Sequence, residues 1–246
     1  YPSYILYRTL AQIQNAEWEE VHFQSNFQLG DDFFRSANHL KLAFLPNPNS
    51  PSGTIISPDV IRGLAERLPC PLLVDEAYVD FAECNCIELV KQQPRIMVSR
   101  TLSKSYSLAG LRFGFLVAHP SVIAMLRKVK DSYNCNSLSI AAATAALGDQ
   151  EWIRENRLRI IATRARMSES LRTLGFDVTE SHANFVWCTR PSRNVHPLYE
   201  RLKQDKILVR YMNYPGWGDG LRVSVGTDQQ VDACLALLAQ ALSEGL

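Results

Sequence analysis

Leu72-Leu73-Val74-Asp75-Glu76-Ala77-Tyr78 runs from an apolar stretch straight into an acid and, three residues on, a tyrosine. An apolar run this short, bounded by turn signals, fits a strand buried on both faces of a parallel sheet. Upstream, His39 to Leu45 reads as a strand running into Pro46. Pro58 to Leu68 reads as a helix, with Ser57 as N-cap and Pro58 at the first helical position. Downstream, Cys86 to Gln92 reads as a short helix, Arg95 to Ser99 as a strand, and Phe113 to Ala118 as another that ends at Pro120. Nearer the start, residues 5–17 suggest a helix and Glu19 to Phe23 a short strand. Alternation of this kind predicts an α/β domain on a mostly parallel sheet with flanking helices.

Three of these strands end in segments rich in polar chemistry: Asn47-Pro48-Asn49-Ser50-Pro51-Ser52-Gly53, Asp75-Glu76-Ala77-Tyr78, and Ser99-Arg100-Thr101-Leu102-Ser103-Lys104. Each alone has a plainer explanation: a proline turn, a capping acid, a solvated lysine. Together they lie about one βαβ unit apart, and ligands of open α/β sheets sit beyond the carboxyl ends of the strands. The three segments are therefore expected to converge on one pocket.

The second part opens with a long amphipathic helix whose apolar positions run from Trp152 to Leu174, stopped by Gly175. Strands follow at Phe185–Cys188, Ile207–Tyr211 and Leu221–Val225, with helices at about 195–204 and 228–243. This predicts two domains: a large α/β domain over residues 1–150, and a smaller α+β domain over residues 151–246 that includes the connecting helix.

Composition narrows the function. Hydrophobic residues make up 46% and charged residues 21% of the 246, as in ordinary globular proteins. A net charge of +1 gives no bulk attraction to nucleic acid or to an acidic membrane. No apolar run approaches the ~18 residues of a membrane span. No secretory leader opens the chain. Cys70, Cys84, Cys86, Cys135, Cys188 and Cys234 are scattered, and His22, His39, His119, His182 and His196 show no metal-ligand spacing. Free thiols, no metal and a cytoplasmic location are expected. The chain starts abruptly in a turn, Tyr1-Pro2-Ser3-Tyr4, as the C-terminal part of a longer protein would.

Four segments in order resemble the fold-type I pyridoxal-phosphate aminotransferases. Thr101-Leu102-Ser103-Lys104 with Gly110-Leu111-Arg112-Phe113-Gly114 is similar to their lysine segment. Val74 to Tyr78 is similar to their aspartate-tyrosine segment, Asn49 to Gly53 to their Asn-Pro-Thr-Gly turn, and Leu221 to Thr227 to their carboxylate-binding arginine segment. Pro2-Ser3-Tyr4, Tyr133 to Leu138, Ala183-Asn184-Phe185 and Ile207 to Tyr211 bring the likeness nearest to the histidinol-phosphate branch.

The resemblance implies pyridoxal phosphate as cofactor, a homodimer, and transamination of histidinol phosphate with glutamate and 2-oxoglutarate. Threonine-phosphate decarboxylation, aromatic transamination and a cofactor-sensing domain of a transcription regulator stay open beside it. It gives Lys104 the covalent link and the proton shuttle. Asp75 holds the ring nitrogen's proton, and Tyr78 bonds the ring's phenolic oxygen. Thr101, Ser103 and Arg112 hold the phosphate, and Tyr4 stacks on the ring. Arg222 takes the substrate α-carboxylate and Arg210, at the end of its strand, the substrate phosphate. Tyr133 and Asn134 are further substrate-side candidates, and Asn184 fits a turn equally well. Ser50 stands where the family has asparagine, with Asn49 just before it, which leaves open which one makes the family's contact. A glycine-rich phosphate segment, an N-terminal arm and a tyrosine donated across the dimer lie upstream in the family and have no counterpart here.

Overall fold

The computed structural model describes residues 1–34 and 39–246. Helix α1 (Leu6–Ile13) precedes strand β1 (Ala43–Pro46), α2 (Pro58–Arg67), β2 (Leu72–Asp75), the short α3 (Leu89–Gln92), β3 (Ile96–Thr101) and β4 (Gly114–Val117). The strands form one sheet in the order β1-β2-β3-β4. β1, β2 and β3 pair in parallel, and β4 returns antiparallel to β3. Parallel neighbours need a crossover, which α2 and α3 supply. Only a 3-10 turn, Ala109–Leu111, separates β3 from β4, so the chain can only turn back.

Several expected elements are shorter or absent. Glu19 to Phe23 is not a strand. Its pairing with the start of the chain stops at Tyr1, where Tyr1 N donates to Val21 O at 2.5 Å and Phe23 N–H to Tyr1 O at 3.1 Å, and Phe23 is buried in the core. The first helix ends at Ile13, and β1 begins only at Ala43. The helix expected from Cys86 starts at Leu89; before it the bonds are of the tighter three-residue kind, Leu89 N–H to Cys86 O and Val90 N–H to Ile87 O at 3.1 Å.

Helix α2 starts as its caps dictate. Ser57 accepts from Val60 N–H, Pro58 opens the first turn, and Asp59 and Arg67 complement the dipole at either end. Ile61, Leu64 and Ala65 turn inward onto Leu72, Val74, Ile96 and Val98 of the sheet. Each such large side chain contributes about 1.5–3 kcal/mol by leaving water.

Two helices escaped the sequence reading, α4 (Pro120–Val129) and α5 (Ser137–Gly148). Pro120 both ends the preceding strand and opens α4, and Asn136 caps α5. Alanine-rich α5 carries no apolar stripe that would have marked it. Then come α6 (Gln150–Thr173), β5 (Asp177–Val178), β6 (Phe185–Thr189), α7 (His196–Gln204), β7 (Arg210–Tyr214), β8 (Gly218–Ser224) and α8 (Asp228–Ser243). Thr227 and Gln230 form a capping box at the start of α8. The second sheet is antiparallel throughout, in the order β5-β6-β8-β7. One of its faces packs Val186, Cys188, Leu221 and Val223 against α6, α7 and α8.

Polar contacts join the two sheets. Arg164 of α6 is buried, and its guanidinium donates to Phe81 O and Ala183 O at 3.3 and 2.8 Å. Thr179 Oγ1 donates to Ser52 O at 2.6 Å, and His182 N–H to Gly53 O at 2.7 Å. Gly53 has φ +74°, and a Cβ there would lie 2.2 Å from Ser181 Oγ, so this junction admits only glycine.

Candidate active site

β1, β2 and β3 lie side by side and point the same way, so the segments that follow them emerge at one edge of the sheet. Asp75 and Glu76 are consecutive at that edge and point to opposite sides. Asp75 accepts from Tyr7 Oη at 2.7 Å and from Ala77 N–H at 3.1 Å. Glu76 is buried, accepts Arg100 Nε and Nη2 at 2.9 and 2.7 Å, and also accepts Cys86 N–H. Burial pushes the Glu76 carboxyl above its ordinary value, opposed by the Cys86 amide and the Arg100 guanidinium. Glu76 and Arg100 form a structural pair that ties β2 to β3, one that the sequence reading did not single out.

Lys104 Nζ stands 5.1 Å from the centre of the Tyr78 ring. That ring meets Phe185 edge-on at 5.0 Å, and Arg222 Cζ lies 5.0 Å over the same Phe185 ring. Arg222 Nη1 donates to Ser50 Oγ at 2.8 Å, while its Nε is buried with no partner among the described residues. Lys104, Tyr78, Phe185, Arg222 and Ser50 thus form one line of contacts drawn from both sheets.

Thr101 Oγ1 lies 2.8 Å from Ser103 Oγ and 3.3 Å from Phe113 O, and it accepts from Ser103 N–H at 3.1 Å. Thr101 pairs with Gly114, and Leu102 N–H bonds Phe113 O at 3.1 Å, which brings the Arg112 segment back beside the Thr101–Ser103 segment. Arg112 is exposed, at φ +53°, with its guanidinium on Ala109 O at 2.9 Å. Asn49 is buried, and its Nδ2 donates to Pro2 O and Ser52 Oγ at 3.2 and 2.9 Å. Its amide thus holds the turn, while Ser50 meets the arginine.

On the second sheet, Arg222 pairs across strands with Trp187 on one side and Arg210 on the other. Directly paired residues share a face, so both guanidiniums project from the side opposite the helices. Arg210 begins β7, where the sequence had placed it at a strand end; the strand starts three residues later than Ile207. Trp187 lies on Gly220, where a Cβ would come within 2.4 Å of its ring.

Not every candidate joins this cluster. Tyr4 is half-exposed and touches Tyr7 edge-on at 5.7 Å. Tyr133 is 92% exposed in the turn between α4 and α5, and Asn134 Oδ1 accepts from Lys130 Nζ at 3.0 Å. Asn184 sits just ahead of β6, where its backbone O accepts Val225 N–H. Tyr7 was missed; it lies in the first turn of α1, just beyond Tyr4, and no motif marks it.

Residues 1–238 match the family Aminotransferase class I and II. A histidinol-phosphate aminotransferase of Rhodopirellula baltica is 59% identical over 242 residues, covering 98% of this chain and 67% of that protein. One from Syntrophotalea carbinolica is 45% identical, covering 97% and 68%. The crystal structure of histidinol-phosphate aminotransferase from Sinorhizobium meliloti in complex with pyridoxal-5'-phosphate has the same fold. It superposes with a TM-score of 0.87 at 24% identity, over 98% of this chain and 68% of that one.

Proposed function

The chain belongs to the class I and II aminotransferase family, and from that premise we propose that it exchanges an amino group between histidinol phosphate and 2-oxoglutarate, yielding imidazole-acetol phosphate and glutamate, with pyridoxal phosphate as cofactor. The observation that carries this is the line from Lys104 through Tyr78 and Phe185 to Arg222 and Ser50. It links an amine to a guanidinium through two touching rings, Tyr78 and Phe185, with Asp75 at the same sheet edge.

The donor set fits a flat, phosphorylated, cationic ring. A carboxylate suits a protonated ring nitrogen, a phenol suits an ionised ring oxygen, and hydroxyls with a guanidinium suit a phosphate. When bound, the cofactor supplies an electron sink for the carbon that loses a proton. Lys104 would hold the cofactor through its amine, and the free amine would move the substrate's proton. Asp75 keeps the ring nitrogen's proton, and Tyr78 donates to the ring oxygen. Thr101, Ser103 and Arg112 hold the phosphate, and Tyr4 covers a ring face.

Arg222 grips the glutamate carboxylate with its planar fork, and Arg210, its cross-strand partner, meets the substrate phosphate. Like charges directly opposite on a sheet cost stability, and an anionic substrate offsets that cost. Ser50 meets Arg222, while Asn49 uses its Nδ2 on its own turn and keeps a buried Oδ1 with no partner among the described residues, so both side chains stand ready at this edge. Tyr133 and Asn134 enter only as outlying substrate contacts. The same proposal includes a homodimer in the cytoplasm and a division into domains near residue 150. Two sheets with separate cores support that division.

The test is amino transfer from glutamate to imidazole-acetol phosphate, set beside a plain aromatic keto acid. The phosphorylated acceptor should be clearly preferred. Lys104→Ala should abolish the visible band of the bound cofactor and cut turnover by at least about a thousandfold. Equal use of both acceptors would refute the substrate, and carbon dioxide release from threonine phosphate would replace transamination with decarboxylation.

A further inference from the structure

Tyr7 connects parts of the site that no other side chain joins among the described residues. Its hydroxyl lies 2.7 Å from Asp75 Oδ2. Its ring stacks on Phe44 of β1 at 5.0 Å and 19°, and meets Tyr4 edge-on at 5.7 Å. The rest of α1 has no buried residue, and Leu6, Leu10 and Ile13 are exposed. Tyr7 is therefore the residue that ties this helix to the sheet edge, and it does so through the acid.

We propose that Tyr7 is a positioning residue for Asp75, its hydroxyl holding the carboxylate in one orientation and so setting how firmly that acid retains the proton of the cofactor's ring nitrogen. The inference rests on reading Asp75 as the cofactor's acid. A carboxylate with one donor can swing about its Cβ–Cγ bond. With Ala77 N–H on Oδ1 and Tyr7 on Oδ2 it has a donor on each oxygen and is fixed, with a lone pair on each oxygen still available. The phenol remains a donor throughout the working range. Burial pushes it far above its ordinary value, reinforced by the charge and hydrogen bond of Asp75 and by the neighbouring phenols Tyr4 and Tyr78. A phenol held there only to fill space would need neither the 2.7 Å contact nor an acid as its partner.

The consequence is spectroscopic. Positive charge on the ring nitrogen disfavours a second positive charge on the nitrogen that joins Lys104 to the cofactor. Tyr7→Phe keeps the ring, the Phe44 stack and the Tyr4 contact but frees the carboxylate. The ring proton is then held less firmly, and the Lys104-linked nitrogen keeps its own proton to higher pH. In the cofactor-loaded protein, the midpoint of visible absorbance against pH should rise by about one unit. Cofactor affinity should fall roughly tenfold, while the melting temperature of the cofactor-free protein stays close to the parent's. Tyr7→His, which restores a donor, should bring the midpoint part of the way back.

A Tyr7→Phe midpoint and affinity equal to the parent's would overturn the proposal while leaving Asp75's role intact. Equal shifts in Tyr7→Phe and Tyr7→His would overturn it as well, pointing to ring packing and not to the hydroxyl. A parent protein that gives no visible band with pyridoxal phosphate would sink the cofactor reading itself and this inference with it.

Discussion

The two sheets carry their chemistry in different ways. In the first, Asp75, Tyr78, Ser103 and Lys104 stand on segments that leave the carboxyl ends of parallel strands. In the second, Arg222 and Arg210 stand within or at the start of antiparallel strands, paired across a ladder. A loop beyond a parallel strand can vary without disturbing the core, but the exact placement of its side chains depends on local polar contacts. A residue inside a ladder is placed by the sheet itself, and moving it means moving the sheet. The first arrangement suits groups that must meet a cofactor at several angles. The second suits a rigid fork that grips one carboxylate.

That contrast can be broken by substitution. The largest effect is expected for Arg100→Ala, which strands Glu76 without its partner. Glu76 has a fully buried side chain, and Arg100 is itself only 20% exposed. Removing one member of such a pair costs about 3 kcal/mol, readable by denaturant or thermal unfolding. The deficit has a predictable pH dependence. Burial already holds the Glu76 carboxyl above its ordinary value, and losing Arg100 raises it further. A carboxyl raised on folding binds its proton more tightly in the folded state, so the variant regains stability as pH falls through that raised value. An unfolding deficit that does not change between neutral and acid pH would mean that Glu76 is not left charged and buried.

Arg222→Lys comes next. A point charge cannot reproduce a planar fork, so the KM for glutamate should rise about 10–100-fold while the visible cofactor band stays intact. Loss of the band together with the KM effect would erase the distinction between the two sheets. The smallest effect is expected for Tyr133→Ala. Its ring projects into solvent, so stability should change by less than about 0.5 kcal/mol. A large rise in KM for the phosphorylated substrate, at unchanged stability, would show that the α4–α5 turn reaches the substrate after all.

Much of the first sheet was legible because local signals agree there. Ser57-Pro58 starts a helix, short apolar runs make strands, and polar segments mark their carboxyl ends. What failed was pairing. Nothing near Glu19 to Phe23 announces that its pairing stops at Tyr1, and nothing near Phe113 announces that β4 turns back on β3. Period and composition are local, whereas pairing is decided by which segment arrives alongside. The site divides in the same way. Lys104, Asp75, Tyr78 and Arg222 were singled out by motif, while Tyr7, Phe185 and the Glu76–Arg100 pair emerged only from contacts between distant segments.

The amino-acid order by itself determined the alternation of strands and helices, the three polar segments at one sheet edge, and the family resemblance. These rest on side-chain periodicity and backbone preference, which act over a few residues. Only the tertiary structure decided that Asp75 faces Tyr7 while its neighbour Glu76 faces Arg100, and that Ser50, 172 residues away in sequence, meets Arg222. Those choices depend on what packs against each face of a strand, and that is fixed only when the whole chain has folded.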